Sequence, residues 1–203
     1  MAATTHERTL SGEKARRIVE AMRASVGERG AAGSTFDHVA REAGVSRGLL
    51  HYYFGTKERL LVEVVRRDCD LRMATLDEAL AGAATADAFL DVLVRSLEDF
   101  VARDAASVTL IHELFVLSRH TPDIGAEMAE LFRRTQAHLG ALLERAERDG
   151  VLRLGDDPGA VAAILFSLAD GLAMRMVAEP GGDFGAVLRA GITATRALLA
   201  EPR

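Results

Sequence analysis

The sequence of 203 residues has one cysteine and no tryptophan, and only 5% of its residues are aromatic. Cys69 cannot form a disulfide within the chain, and it lacks the CxxC spacing or the histidine partner of a metal site. A reducing compartment is therefore favoured. The initial residues, MAATTHERTLSGEK, have no apolar segment behind a basic region, so neither a secretory signal nor a transit peptide is expected. These absences predict a cytoplasmic protein that needs no metal or other cofactor.

Long apolar runs and the signature motifs of several enzyme classes are missing as well. The longest apolar run, Val161 to Ala169, is shorter than the roughly 20 residues of a membrane span, and Asp170 follows it. The sequence contains no HExxH, GxGxxG or GxxxxGK motif. We therefore expect neither a membrane span nor an enzyme, and no residue is a candidate for catalysis or metal ligation.

Charge is distributed unevenly, although the whole chain carries a formal net charge of -5. Residues 1–67 contain 12 Lys and Arg against 8 Asp and Glu, a net charge of +4. Residues 68–203 contain 13 against 22, a net charge of -9. A basic end on an acidic chain indicates contact with a polyanion, because Lys and Arg near phosphates release condensed counterions. The alternative is a chance excess of basic residues spread over solvated helix faces.

Apolar residues recur at helical spacing along the chain, and no segment alternates as a strand would. The first segment follows a candidate cap at Ser11 and has an apolar stripe at Ala15, Ile18, Val19, Met22 and Val26. Later helix starts are marked by the capping residues Thr35, Ser46, Thr56, Thr121, Asp157 and Asp183. The helix after Thr56 connects the basic third to the acidic remainder. We predict an all-α fold of about nine helices.

One short helix, residues 46–54, is divided into two faces. At 100° per residue, one face carries Arg47, Gly48, His51 and Tyr52. The opposite arc carries Leu49, Leu50, Tyr53 and Phe54. Together with the preceding helix and the turn at Gly44, this segment is typical of a helix-turn-helix that inserts its second helix into the DNA major groove. An ordinary helical hairpin is the alternative.

The stretch TFDHVAREAGVSRGLLHYYFGTKERLL, from Thr35 to Leu61, resembles the TetR family of bacterial transcriptional regulators. The similarity lies in the AxxAGVS turn, the glycine after the basic residue, the aromatic run ending in Phe54, and Lys57 after a Gly-Thr link. It implies a flexible arm over residues 1–11 and a DNA-binding domain over 12–66, with the motif at 35–54. An effector-binding and dimerisation domain is then expected over 67–203.

The resemblance also implies roles for individual residues in DNA binding. Base or sugar contacts fall on Arg47, Gly48, His51 and Tyr52, with Arg47 suited to a guanine edge. Phosphate contacts fall on Thr35, Tyr53 and Lys57. Leu49 and His51 depart from the residues that many family members have there, so the operator sequence cannot be transferred from a relative. Arg8 in the arm is a further candidate for a phosphate contact.

A dimer is expected, because one recognition helix makes too few contacts and two half-sites lie about one turn apart on a palindromic operator. The last two helices carry surplus apolar and small residues, which suit an interface between two copies. The candidate interface residues are Phe166, Asp170, Met174, Val187, Ala190 and Ala194.

The helical body is expected, from the resemblance, to hold a small-molecule effector that relieves repression. The candidate ligand-binding residues are Met73, His112, Phe115, Arg119, Asp170 and Met174. Each could instead be an ordinary structural side chain. The low aromatic content favours a flexible apolar or acyl-type effector over a large planar one. The alternative to a ligand-responsive DNA-binding repressor is a helical adaptor that binds another protein and no DNA.

Overall fold

The computed structural model describes residues 13–103 and 105–199, which form nine α-helices and no β-strand. The prediction of an all-α fold with about nine helices is confirmed. The arm 1–11, with Arg8 and the candidate cap Ser11, lies outside the described residues. The helices are α1 Glu13–Gly33, α2 Phe36–Ala43, α3 Arg47–Phe54, α4 Lys57–Leu80, α5 Ala86–Arg103, α6 Ala105–Ser118, α7 Pro122–Arg148, α8 Pro158–Ala178 and α9 Gly185–Leu199.

The chain divides into two compact units, Met1–Arg66 and Arg67–Arg203. In the first unit α1 packs against α2, and α2 packs against α3. Its core side chains include Ile18, Met22, Val39 and Leu50, each with no exposed surface. This burial fixes the orientation of α3, because Leu50 is the anchor on its inner side.

The two short helices of the first unit are bounded by local capping interactions. Thr35 is the N-cap of α2, and its hydroxyl accepts a hydrogen bond from the His38 backbone N–H at 3.3 Å. Gly44 adopts a left-handed conformation with φ 64°, which a glycine reaches without steric cost. Ser46 then caps α3 by accepting from the Leu49 N–H at 3.3 Å. The turn between the helices is therefore set by local chemistry.

The second unit is organised around α7 and α8, which pack against each other, and α6 packs against both. Its core contains Leu143, Leu152, Ala162 and Leu199. Pro158 begins α8 behind the N-cap Asp157, whose carboxylate accepts from the Ala160 N–H at 2.9 Å. The start of α7 differs from the prediction in one detail: Thr121 occupies the N-cap position, but its side chain makes no capping hydrogen bond.

Helix α8 is apolar on more than one side. Within residues 13–103 and 105–199, Pro158–Ala178 is the one helix long and apolar enough to cross a membrane by length and composition. Such a match is weak evidence, because core helices of globular proteins pass the same test. Val161, Ala162 and Leu165 face the core, while Ile164 and Leu168 are exposed. The helix therefore has apolar surface left for a function other than packing within its own chain.

Candidate nucleic-acid interface and ligand pocket

Helix α3 presents polar side chains outward and apolar side chains inward. Arg47, Gly48 and His51 are exposed, and Tyr52 is 56% exposed. On the inner side Leu50 is fully buried and Phe54 is 5% exposed. The outward face is therefore the one that helical spacing predicts, and its contact with DNA remains a prediction.

Arg47 is held by two neighbours at the start of α3. Its Nη1 donates to Asp37 Oδ1 and Oδ2 at 3.2 and 3.1 Å, and its Nε donates to His51 Nε2 at 3.4 Å. The other ring nitrogen of His51, Nδ1, lies 3.3 Å from the Gly55 carbonyl oxygen and donates to it in the tautomer that leaves Nε2 as an acceptor. The Phe36 ring meets the His51 ring edge-on, with centroids 4.8 Å apart. Asp37 was not predicted from the sequence, because its partner lies ten residues away across the turn.

The residues predicted to contact phosphates occupy different environments. Thr35 is exposed and caps α2, while Tyr53 is 36% exposed with its ring edge-on to that of Tyr52. The Lys57 ammonium donates to the Ala31 carbonyl oxygen at 3.0 Å and is partly buried. Lys57 therefore has a structural role at the end of α1 that the sequence did not reveal, and its contact with a phosphate remains a prediction.

The second unit contains a cavity of about 440 Å³ between α5, α6, α7 and α8. Four of the predicted ligand-binding residues line it: His112, Phe115, Asp170 and Met174. The structure adds Phe100, Phe132 and Phe166, so that four phenylalanines line the space, of which Phe115 is 54% exposed. Among the described lining residues Asp170 is the only acid, and no lysine or arginine is present. The cavity is therefore mainly apolar, with four phenylalanine rings and one carboxylate in its lining.

Asp170 is an exposed residue in the single chain, but its carboxyl group is partly desolvated by the protein around it. Desolvation by this burial raises the pKa of Asp170, and the nearby positive charge of Arg72 acts in the opposite direction. A carboxyl group in this state gains from a cation placed beside it, because the cation stabilises the ionised form.

Arg72 links this cavity to the buried cysteine. Its guanidinium lies over the Phe100 ring, 3.8 Å from the centroid, and its Nη2 lies 3.2 Å from Cys69 Sγ. Burial raises the pKa of the Cys69 thiol, and the charge and hydrogen bond of Arg72 act in the opposite direction. Arg72 therefore packs against Phe100, which lines the cavity, but does not line the cavity itself.

Two predicted ligand-binding residues lie away from this cavity. Met73, on α4, packs against the core of the second unit. Arg119 is exposed just after the end of α6, where its N–H donates to the Val116 carbonyl oxygen at 3.3 Å. Phe100 and Phe132 were not predicted, because apolar residues at helical spacing are equally consistent with an ordinary core position.

The outer surfaces of α8 and α9 expose apolar and small residues. Val187, Ala190 and Ala194, which were predicted as interface residues, are exposed on α9. On α8, Phe166, Asp170 and Met174 line the cavity, and Met174 is also exposed. Ile164 and Leu168 are exposed one turn apart, at 51% and 36%, and were not among the predicted interface residues.

No group of three or more metal-ligating side chains is present in the residues that the structure describes.

A helix-turn-helix with an outward recognition helix, followed by a helical unit with a ligand-sized cavity, defines a DNA-binding regulator. The family model for bacterial regulatory proteins of the tetR family matches residues 18–64, and that for the C-terminal part of BetI-type transcriptional repressors matches residues 90–200. The chain therefore belongs to the tetR family of bacterial regulatory proteins.

A curated relative agrees with this assignment, and solved structures share the fold. The HTH-type transcriptional regulator BetI of Agrobacterium fabrum is 30% identical over 162 residues, covering 78% of this chain and 74% of that protein. FadR from Bacillus subtilis, solved with stearoyl-CoA, is 19% identical with a TM-score of 0.69, covering 91% of this chain and 98% of that one. A regulator from Saccharomonospora viridis, solved with choline, is 23% identical with a TM-score of 0.68, covering 90% and 94%.

The function class follows from the family. The chain is a DNA-binding transcriptional regulator and not an enzyme. Regulators of this family bind DNA and small-molecule effectors. The adaptor alternative has no support from these relatives.

Proposed function

We propose that this protein is a cytoplasmic, homodimeric repressor that binds a palindromic operator and releases it when a small molecule occupies the cavity of the second unit. In this proposal residues 12–66 bind DNA through the motif at 35–54, and residues 67–203 bind the effector and dimerise. The observation that carries it is the division of α3, with Leu50 and Phe54 buried and the polar face exposed.

The chemistry of the outer face suits the major groove. Arg47 stands at the N-terminal end of α3, which enters the groove first in this motif, and a guanidinium can donate to the O6 and N7 of guanine. Gly48 lets the backbone approach the DNA closely, while His51 and Tyr52 supply ring donors beside it. We expect Thr35, Tyr53 and Lys57 to contact phosphates beside this face.

Binding-site selection from random duplex DNA tests this assignment. Arg47→Ala should weaken binding to the selected site by roughly 1 to 3 kcal/mol and relax one base preference. Arg29→Ala, which removes the same charge from an exposed position on α1, is the matched control and should lower affinity only through charge. Equal losses of specificity in both variants would contradict the proposed recognition face. Repeating the selection at two salt concentrations separates phosphate from base contacts.

The exposed apolar surface of α8 and α9 supports the dimer. Ile164 and Leu168 on α8, and Val187 on α9, are large apolar side chains in contact with solvent in the single chain. Ala190 and Ala194 allow a partner helix to approach closely. Burying such a surface in a second copy stabilises the pair by the hydrophobic effect.

The cavity supports an organic cation with apolar substituents as the effector, in place of the acyl-type molecule that the composition alone favours. Phenylalanine rings and one carboxylate in the lining are groups that attract a quaternary ammonium group through cation–π and Coulombic interactions, and Phe115, Phe132 and Phe166 supply the rings, since Arg72 already covers one face of Phe100. A volume of about 440 Å³ lies within the range of small-ligand sites. The choline bound to the Saccharomonospora viridis protein is such a cation.

Calorimetric titration with choline and, separately, with stearoyl-CoA tests the effector class. Choline should bind saturably, and Asp170→Asn should weaken it without changing the secondary structure. Exposed Asp91→Asn, on α5, is the matched control and should bind choline as the wild type does. Binding of stearoyl-CoA alone would favour the acyl-type effector instead.

A further inference from the structure

Asp37 is the one acidic partner of Arg47 in the first unit's described residues, and it comes from a different helix. Asp37 lies in the first turn of α2, whereas Arg47 begins α3. Both carboxylate oxygens of Asp37 accept from Arg47 Nη1, at 3.2 and 3.1 Å. Each of these side chains is 59% exposed. An ion pair this exposed contributes little to folding stability, so its position calls for another explanation.

The two contacts of Arg47 orient the guanidinium in the free protein. Asp37 holds Nη1 and His51 accepts from Nε, which leaves Nη2 unused by either contact. An arginine side chain has several rotatable bonds, and ordering it on DNA costs conformational entropy. A guanidinium that is already ordered in the free protein loses less conformational entropy when it binds DNA. It also offers its remaining donors in one direction only. Recognition by fixed donors discriminates between bases more strictly than recognition by a mobile side chain.

The charge of Asp37 also acts on DNA binding as a whole, independently of sequence. The first helix of a helix-turn-helix crosses the DNA backbone, so a carboxylate in its first turn is expected near phosphates. The resulting repulsion weakens binding to every sequence by a similar factor. Loss of the charge should therefore tighten binding to operator and non-operator DNA alike, which leaves the ratio of their dissociation constants unchanged.

We propose that Asp37 is a positioning residue that sets how strictly Arg47 selects its base. This inference rests on the proposed contact between Arg47 and a base edge, and goes beyond it by assigning a role to a residue of the other helix. Asp37 acts on base selection through Arg47 alone, and touches no base itself.

The experiment first locates the base pair concerned. Site selection with wild-type protein and with Arg47→Ala identifies the base pair whose preference depends on Arg47. Fluorescence anisotropy then gives dissociation constants for three duplexes: the operator, the operator with that base pair replaced, and an unrelated sequence. The ratio of the second constant to the first measures discrimination at the Arg47 position.

Asp37→Asn should reduce this discrimination roughly three- to fivefold, which is less than Arg47→Ala does, while binding to unrelated DNA stays equal or becomes tighter. In the Arg47→Ala background the same substitution should change discrimination no further. Glu42→Gln removes a charge of the same sign from the exposed side of α2 and should leave discrimination unchanged. Thermal melting of Asp37→Asn checks that the helix pair remains folded.

Three outcomes would overturn the inference: unchanged discrimination in Asp37→Asn, the same reduction in Glu42→Gln, or a reduction that persists without Arg47. Its failure is distinguishable from failure of the proposed function. If Arg47→Ala relaxes a base preference and Asp37→Asn does not, only the role of Asp37 is wrong. If Arg47→Ala leaves every preference intact, the proposed base contact is wrong and the role of Asp37 falls with it.

Discussion

At Gly48, the requirements of folding and of DNA binding can be separated. A Cβ added there would meet nothing nearer than the Ser46 hydroxyl oxygen at 4.0 Å. Alanine is also the better helix former, so Gly48→Ala should stabilise the free protein by roughly 0.5 to 1 kcal/mol. If the backbone approaches DNA closely here, the added methyl group should nevertheless weaken operator binding. Chemical denaturation and anisotropy titration of the same preparation measure both effects.

Gly27→Ala provides the matched control, since Gly27 lies in α1 and a methyl group added there would have nothing within 4 Å. It should gain similar stability and keep wild-type DNA affinity. Operator binding by Gly48→Ala as tight as that of Gly27→Ala would show that the glycine is not needed for close approach.

Asp170 provides a pH-dependent prediction at the residue scale. Desolvation raises the pKa of Asp170 in the folded protein above 3.8, its ordinary value in an unfolded chain. At a pH between the ordinary and the raised pKa, the folded protein therefore holds more protons than the unfolded chain. Folding stability contributed by this group is therefore lost as the pH rises through the folded pKa. Asp170→Asn should raise the melting temperature at neutral pH, and the gain should disappear at about pH 3.8 and below.

Choline binding should depend on pH in the opposite direction from folding stability, because the cation needs the ionised carboxylate of Asp170. Its affinity for the wild type should fall as the pH falls through the raised pKa of Asp170, while Asp170→Asn should bind weakly with little dependence on this group. A wild-type affinity that is flat over this range, measured by calorimetry, would remove Asp170 from the site.

At the scale of single helices, the surfaces of α8 and α9 carry the prediction about assembly. Leu168→Glu places a charge in the proposed interface and should shift the protein from dimer to monomer in sedimentation velocity at micromolar concentration. Operator affinity should fall as well, because two linked recognition helices bind more tightly than one. Leu71→Glu is the control, since Leu71 is 55% exposed on α4, outside the proposed interface. Monomerisation by both variants, or by neither, would contradict the proposed interface.

The helices themselves were largely predictable from the sequence, because their boundaries depend on neighbouring residues. Thr35, Ser46 and Asp157 cap helices where the sequence predicts caps, and each makes the expected side-chain hydrogen bond. Contacts between helices were harder to predict from the sequence. The pair between Asp37 and Arg47, and the gathering of Phe100 and Phe132 around a cavity, depend on how the helices pack, which no local pattern encodes.

At the scale of the whole molecule, the proposed repressor requires coupling between the cavity and the recognition helix. A hundredfold loss of operator affinity corresponds to about 2.7 kcal/mol of differential binding between the two states of the protein. Helix α4 runs without interruption from Lys57, in the first unit, to Leu80, in the second, and is the element through which we expect the coupling to pass.

Reciprocity makes this coupling measurable from both sides. If saturating choline weakens operator binding hundredfold, the operator must weaken choline binding by the same factor, since both express one coupling free energy. Calorimetry of choline with free and operator-bound protein, together with anisotropy of the operator with and without choline, measures the two factors independently. At choline concentrations that saturate the wild type, the Asp170→Asn variant should stay bound to the operator. If choline binds equally well to free and operator-bound protein, the cavity is occupied without regulating DNA binding, and a different ligand or a different site must control the repressor.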